Sequence, residues 1–245
     1  MKIAGFSLVE MMVALTISLI LSALLLNHYV DANGALSMQT SMYHLQEVVN
    51  ISNDVITQEI QQAGYIGCAK LAPGFPIRHY QQYSLTYANQ LMVTGESIIS
   101  RHASSLHAAL LSISADKKSL YVSDNISFKP NDILIISDCQ HAEIFKVKNI
   151  FHLNQQIKVE TIAPLDGDFS VNTEVAYFES NRLFLKKLSK NKKALFIEDV
   201  NLFHRQITEG VEALHFANKL HGVTFTETVT VNALQKEWGG YVPIS

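Results

Sequence analysis

Glu10 is the side chain whose type and position most demand a chemical explanation. It carries the only charge in the apolar run Phe6–Leu26. A carboxylate well inside such a run costs about 2.5–3.5 kcal/mol to place in a bilayer, and less near the end. Neither a disposable secretion signal nor a passive anchor has a use for it, although Ala32-Asn33-Gly34 supplies the small residues of a signal-type cleavage site. An intramembrane acid points to a functional contact with a cation. The other residues with chemical potential are fewer than they first look. Cys68 and Cys139 are the only cysteines, and no C-x-x-C exists, so neither a thioredoxin-type motif nor a zinc knuckle is supported. They are either two buried thiols or one disulfide, and a body outside the cytoplasm favours the disulfide. That bond would close a loop of about 70 residues, worth on the order of 4 kcal/mol of chain entropy. The ten histidines are scattered. His141-x-Glu143 beside Cys139 reads as polar side chains on one strand face rather than a metal site. Asp124-Asn125 and Asp166-Gly167-Asp168 lack EF-hand spacing and read as turns. Lys186, Lys187, Lys190, Lys192 and Lys193 form the one basic cluster, expected as a solvated loop after a strand. It is also the candidate contact for an acidic partner or DNA. The sequence has no G-x-S-x-G, H-E-x-x-H, Walker A or G-x-G-x-x-G pattern. No catalytic residue, no metal and no cofactor is therefore expected.

The elements that must carry these residues follow from the pattern of the chain. There are 245 residues, with 19 Lys+Arg against 22 Asp+Glu and a net charge of −3. That is enough chain for a sizeable core, and it lacks the basic excess of a general nucleic-acid binder. Phe6–Leu26 would span about 31 Å as a helix, one hydrocarbon thickness. Lys2 precedes the run and no basic cluster follows it, which places the N-terminus in the cytoplasm and the body outside. Beyond it, Met38, Met42, Leu45, Val48, Val49, Val55, Ile56, Ile60 and Ala63 make an amphipathic stripe, and Gly64 offers a C-cap. Asp31-Ala32-Asn33-Gly34 reads as a bend or meltable joint, since glycine costs about 1 kcal/mol in a helix interior. Residues 6–63 would form a rod of roughly 87 Å. After Gly64 the pattern becomes short β-branched and aromatic runs broken by turn residues. Strands are predicted near Leu85–Tyr87, Ala109–Ser114, Ser119–Val122, Asp132–Ser137, Glu143–Val147, Ile157–Thr161, Glu174–Glu179 and Arg182–Leu188, with Ser180-Asn181 as a hairpin turn. The fold class is α+β, one long helix packed on an antiparallel sheet.

Gly5-Phe6-Ser7-Leu8-Val9-Glu10 resembles the type III signal of type IV prepilins and pseudopilins. The resemblance implies that a prepilin peptidase cuts between Gly5 and Phe6 and that Phe6 is then N-methylated. It also implies that Glu10 pairs with the terminal amine of a neighbouring subunit. Pairing relieves the cost of two buried charges and favours one axial register between helices. The chain then divides into a leader (1–5), a transmembrane half-helix (6–30), an amphipathic half-helix (31–64) and a β-rich periplasmic body (65–245). A narrower resemblance joins Ile60-Gln61-Gln62-Ala63-Gly64-Tyr65-Ile66-Gly67-Cys68, Asp132–Gln140 with Ala142–Val147, and Glu209-Gly210-Val211-Glu212 to the PilW family of minor pilins. It supports pairing Cys68 with Cys139. The implied function is a low-abundance pilin that helps start pilus assembly and enters the pilus. Its implied partners are the peptidase, other minor pilins, the major pilin and, before assembly, the inner membrane. The alternative is a type II secretion pseudopilin of the minor tip complex. The family pattern leads one to expect more β structure after Trp238 than Gly239–Ser245 supplies. The expectation is a reduced or incomplete last sheet with an open edge, which could accept a partner's strand.

Overall fold

The computed structural model describes residues 8–189, 192–232 and 234–244. It opens with one uninterrupted helix, α1, over Leu8–Gln62. At 1.5 Å per residue its 55 residues extend about 82 Å. The expected joint at Asn33-Gly34 does not form. No proline interrupts the run, and one glycine costs little against an unbroken ladder of i→i−4 bonds. Gly34 has no neighbour within 4 Å of where a Cβ would sit, so nothing there bends the chain. Helix termination does follow the sequence. Gly64 takes a left-handed φ of 77°, and its N–H turns to the carbonyl of Arg101 at 2.9 Å.

The rest of the described chain is β structure. A ten-stranded sheet contains β1 (Ile77–Arg78), β2 (Leu91–Thr94), β3 (Ser97–Ile113), β4 (Ser119–Ser123) and β5 (Ile133–Ser137). It continues with β6 (Ala142–Leu153), β7 (Gln156–Thr161), β8 (Glu174–Ser189), β9 (Lys192–Glu198) and β10 (His204–Glu209). A separate three-stranded sheet holds β11 (Val211–Lys219), β12 (Gly222–Val231) and β13 (Leu234–Pro243). All pairings are antiparallel except the short β1–β6 contact.

Two long strands organise the molecule. β3 pairs with β8, and β8-β5-β6-β7-β4-β3 therefore closes on itself as a small barrel. Irregular register at Ala103/His107 and Leu110/Ser112 lets β3 turn from the open sheet into the barrel. The barrel interior is filled by Leu110, Leu120, Val122, Phe145, Val147, Ile157 and Val159. The near halves of β3 and β8 continue with β2, β9 and β10 as an open sheet. A second core lies between this sheet, α1 and the three-stranded sheet, built on Ile56, Ile60, Ile98, Leu183, Leu195, Phe216, Phe225 and Val229.

Four further sequence expectations need correction. Leu85–Tyr87 is not a strand; Leu85 is buried, but a turn closed by Thr86 and Asn89 holds it. Ser180-Asn181 is no hairpin, because β8 runs straight through it and the Asn181 side chain donates to Glu59 of α1 rather than to its own backbone. The lysine cluster is not a loop after a strand: Lys186 and Lys187 end β8 and Lys192 and Lys193 begin β9, with Lys187 paired opposite Lys193. Met38 and Met42 do not join the buried stripe; both are exposed. The segment around Trp238 forms β13, paired along its length with β12, and among the described residues the small sheet ends there with an open edge, as the sequence leads one to expect.

Candidate functional site

Every residue of α1 from Leu8 to Thr40 is exposed. This half is long and apolar enough to cross a membrane, and none of its apolar window is covered by the rest of the chain. Thr16 satisfies its hydroxyl internally by donating to the Val13 carbonyl at 2.8 Å, as a polar group in an apolar stretch must. Glu10 lies in the first described turn, where a carboxylate also complements the helix dipole. Gly5 and Phe6 lie outside the described residues. An apolar helix held clear of its own body must be covered by lipid or by other helices.

The second half of α1 is a different object. Ser41, Leu45, Val49, Ser52, Ile56, Glu59 and Ile60 are buried, at spacings of three and four. Three of these are polar, and each has its own solution. Ser41 donates back to Ser37, and Asn232 donates to the Ser41 hydroxyl at 3.2 Å. Ser52 donates to the Val48 and Val49 carbonyls at 2.9 and 3.1 Å. Glu59 is the anchor. Its carboxylate accepts a short hydrogen bond from Ser100 on β3 and another from Asn181 on β8 at 3.1 Å. The buried ring of His102 stands 3.6 Å from it, an ion pair rather than a hydrogen bond. Burial alone would lower the His102 pKa, but the Glu59 carboxylate, the Ala103 carbonyl and Glu179 together hold it above the ordinary value. One acid of the helix thus grips both long strands. Glu59 and Asn181 also line a 650 Å³ cleft between the helix and β8–β10, with Glu179, Asp199 and Phe203.

Glu227 on β12 is the opposite case. It is 1% exposed, and neither carboxylate oxygen has a hydrogen-bond partner. Burial pushes its pKa up to about 6, only partly opposed by the Ser52 hydroxyl of α1.

The remaining sequence-predicted residues are placed as follows. A disulfide joins Cys68 to Cys139 across a sequence separation of 71, tying the segment after α1 to the β5–β6 turn. Lys193 donates to the Glu212 carbonyl at 2.6 Å, and Lys186 lies 5.4 Å from the centre of the Phe196 ring. Lys186, Lys187 and Lys192 are exposed, and Lys190 lies outside the described residues. Lys187 and Lys193 line a 490 Å³ hollow with Arg182, Glu96 and Glu212, a mixed-charge surface. His141 stacks on Phe169 and sits 3.0 Å from Asp138. Glu143 is buried, accepting the Asp166 and Gly167 N–H groups at 2.9 and 3.2 Å and pairing with Arg78 at 3.3 Å. The Asp166–Asp168 turn is thus held by Glu143 on one side and by Lys117, 2.5 Å from Asp168, on the other. Sequence reasoning missed Glu59, Ser100, His102, Asn181 and Glu227. A signal for Glu59 was present, since it occupies a stripe position between Ile56 and Ala63.

Among known families, the prokaryotic N-terminal methylation motif matches residues 1–26. No curated protein and no solved structure matches the chain. A methylation-type N-terminus, an apolar half-helix clear of the body and an amphipathic half-helix laid on a large antiparallel sheet together are the layout of a type IV pilin or pseudopilin.

Proposed function

We propose that the chain is a minor type IV pilin of PilW type, a non-catalytic subunit that helps to initiate pilus assembly and is built into the pilus. The observation that carries this is the methylation motif at the head of a helix whose first half is wholly uncovered by its own body. Such a helix is stable in a bilayer or among parallel apolar helices, and a filament supplies the second environment. The likenesses around Cys68 and Cys139 support the PilW reading over a secretion pseudopilin. On this reading a prepilin peptidase releases Phe6, whose methylated amine meets Glu10 of a neighbour. The partners are other minor pilins and the major pilin, and the body faces the periplasm before export to the cell surface.

Deletion and fractionation test the proposal. Cells lacking the chain should lose surface pili, and sheared pili from wild-type cells should contain it at low abundance. Intact piliation with loss of exoprotein secretion would transfer the chain to the type II secretion class.

A further inference from the structure

Among the described residues β13 is the open edge of the three-stranded sheet, pairing only with β12. Which of its backbone groups face outward follows from the ladder. Ile244 donates to the His221 carbonyl at 2.9 Å, and the pairing continues without a bulge from Gly222↔Pro243 to Val231↔Leu234. In an antiparallel pair the residues that bond the partner alternate with those that do not. Leu234, Lys236, Trp238, Gly240 and Val242 therefore bond β12, while Gln235, Glu237, Gly239 and Tyr241 turn their N–H and C=O groups outward. Pro243 falls on the outward set, where its missing N–H costs no bond and where it ends a row of donors.

The usual protections of such an edge are weak here. No bulge breaks it, its one proline lies at the end, and its charges are confined to the neighbouring pair Lys236 and Glu237. Residues 235–239 are all exposed. Beside it, on the face that carries Trp238, runs a 250 Å³ groove floored by Asn53, Thr57 and Gln61 of α1. Gly240 cannot carry a side chain without striking the Phe225 ring, so the edge stays low at the centre of the groove. The three α1 side chains are one helical row, i, i+4 and i+8, of uncharged amides and a hydroxyl. They lie on the same helix whose exposed half brings neighbouring subunits alongside.

We infer that β13 is a strand-addition site for an extended segment of a neighbouring, different subunit of the filament. The added strand pairs with Gln235, Glu237, Gly239 and Tyr241, a span of about seven residues or 24 Å. Its groove-side residues are uncharged, of the serine, threonine or asparagine kind, to match Asn53, Thr57 and Gln61 beside the Trp238 ring. The inference rests on the filament reading above.

The ladder phase supplies the test. Glu237→Pro removes an outward N–H and spares the β12 ladder, whereas Lys236→Pro breaks that ladder. In pilus-producing cells, Glu237→Pro should leave the full-length chain folded, with an unchanged melting curve in detergent. Its amount in sheared pili should fall about fivefold or more, as expected for the loss of one strand bond and its register. Gln61→Glu, on the exposed helix surface, should give the same loss without touching β13. If the wild-type chain is in pili and both variants enter them equally well, the edge is not an addition site and the inference fails while the filament reading stands. If the wild-type chain is absent from pili, the filament reading itself fails. A homodimer in detergent that Glu237→Pro dissolves would assign the edge to a second copy and overturn the different-subunit assignment.

Discussion

At the scale of single residues, three carboxylates with different surroundings have different work. Glu10 stands in an apolar half-helix that the body does not cover, and the proposed filament role sets it against the methylated amine of a neighbour. Glu10→Ala should be processed normally yet enter the filament poorly; normal piliation and normal incorporation on immunoblots of sheared pili would refute a register role. Glu59 is satisfied within the chain. Removing it takes the acceptor from the buried Ser100 hydroxyl, one of two acceptors from the Asn181 amide and the nearest carboxylate from the buried His102. Glu59→Ala should therefore destabilise the body by about 3 kcal/mol, read as a shift of the denaturation midpoint. Glu227 is satisfied by nothing, and its effect is a matter of pH. Its folded pKa of about 6 lies above the ordinary 4.5, so the folded state holds the proton more tightly. Stability is fully present below about pH 4.5, falls as pH rises towards 6, and is lower by about 2 kcal/mol above that. Glu227→Gln should remove this slope and raise stability at pH 7. A wild-type chain with equal midpoints at pH 4.5 and 7 would contradict the assignment.

Among the elements, the helix was the most legible in sequence and the sheets the least, for a physical reason. A 3.6-residue stripe repeats over many turns, so Leu45, Val49, Ile56 and Ile60 announce themselves. Even so, apolarity alone puts Met38 and Met42 on the stripe, whereas the buried row passes through Ser41 and Ser52. Serines that bond their own helix are as buriable as small apolar residues. Strands of the barrel, such as β5 with its unbroken Ile133-Leu134-Ile135-Ile136, were plain. Strands with one wet face were not: Thr224, Thr226, Thr228 and Thr230 alternate along β12 with Val223, Phe225, Glu227 and Val229. The acid in that alternation masked a core-facing position. β8 was split because Asn181 carries turn chemistry by type, and only the packed helix shows that its amide is committed to Glu59. Of the candidate site, the apolar half-helix and Glu10 were readable at once; the Glu59 anchor joins residues 41 and 122 positions apart and no local pattern encodes it.

For the whole molecule, β3 and β8 matter because each belongs to both the barrel and the sheet beneath the helix. The two cores are joined through continuous backbone, so loosening one weakens the other. The disulfide adds a covalent restraint where the chain leaves α1 and enters the β body. Replacing both Cys68 and Cys139 by serine should cost about 4 kcal/mol through the freed loop, and should lower the melting temperature of the oxidised chain. An unchanged melting temperature, with and without reductant, would show that the bond adds nothing to the folded state.

That same bond limits what traction can do. A filament that is pulled loads its subunits end to end, and a subunit that yields can pay out only chain that lies outside a covalent ring. The 71-residue separation between Cys68 and Cys139 is closed to a Cα distance of 5.7 Å. At about 3.4 Å per extended residue, roughly 240 Å of contour is withheld from any extension. A single oxidised chain stretched by its ends should lengthen that much less than the reduced chain, and the strands from β1 to β5 should stay tethered after the helix has been drawn away.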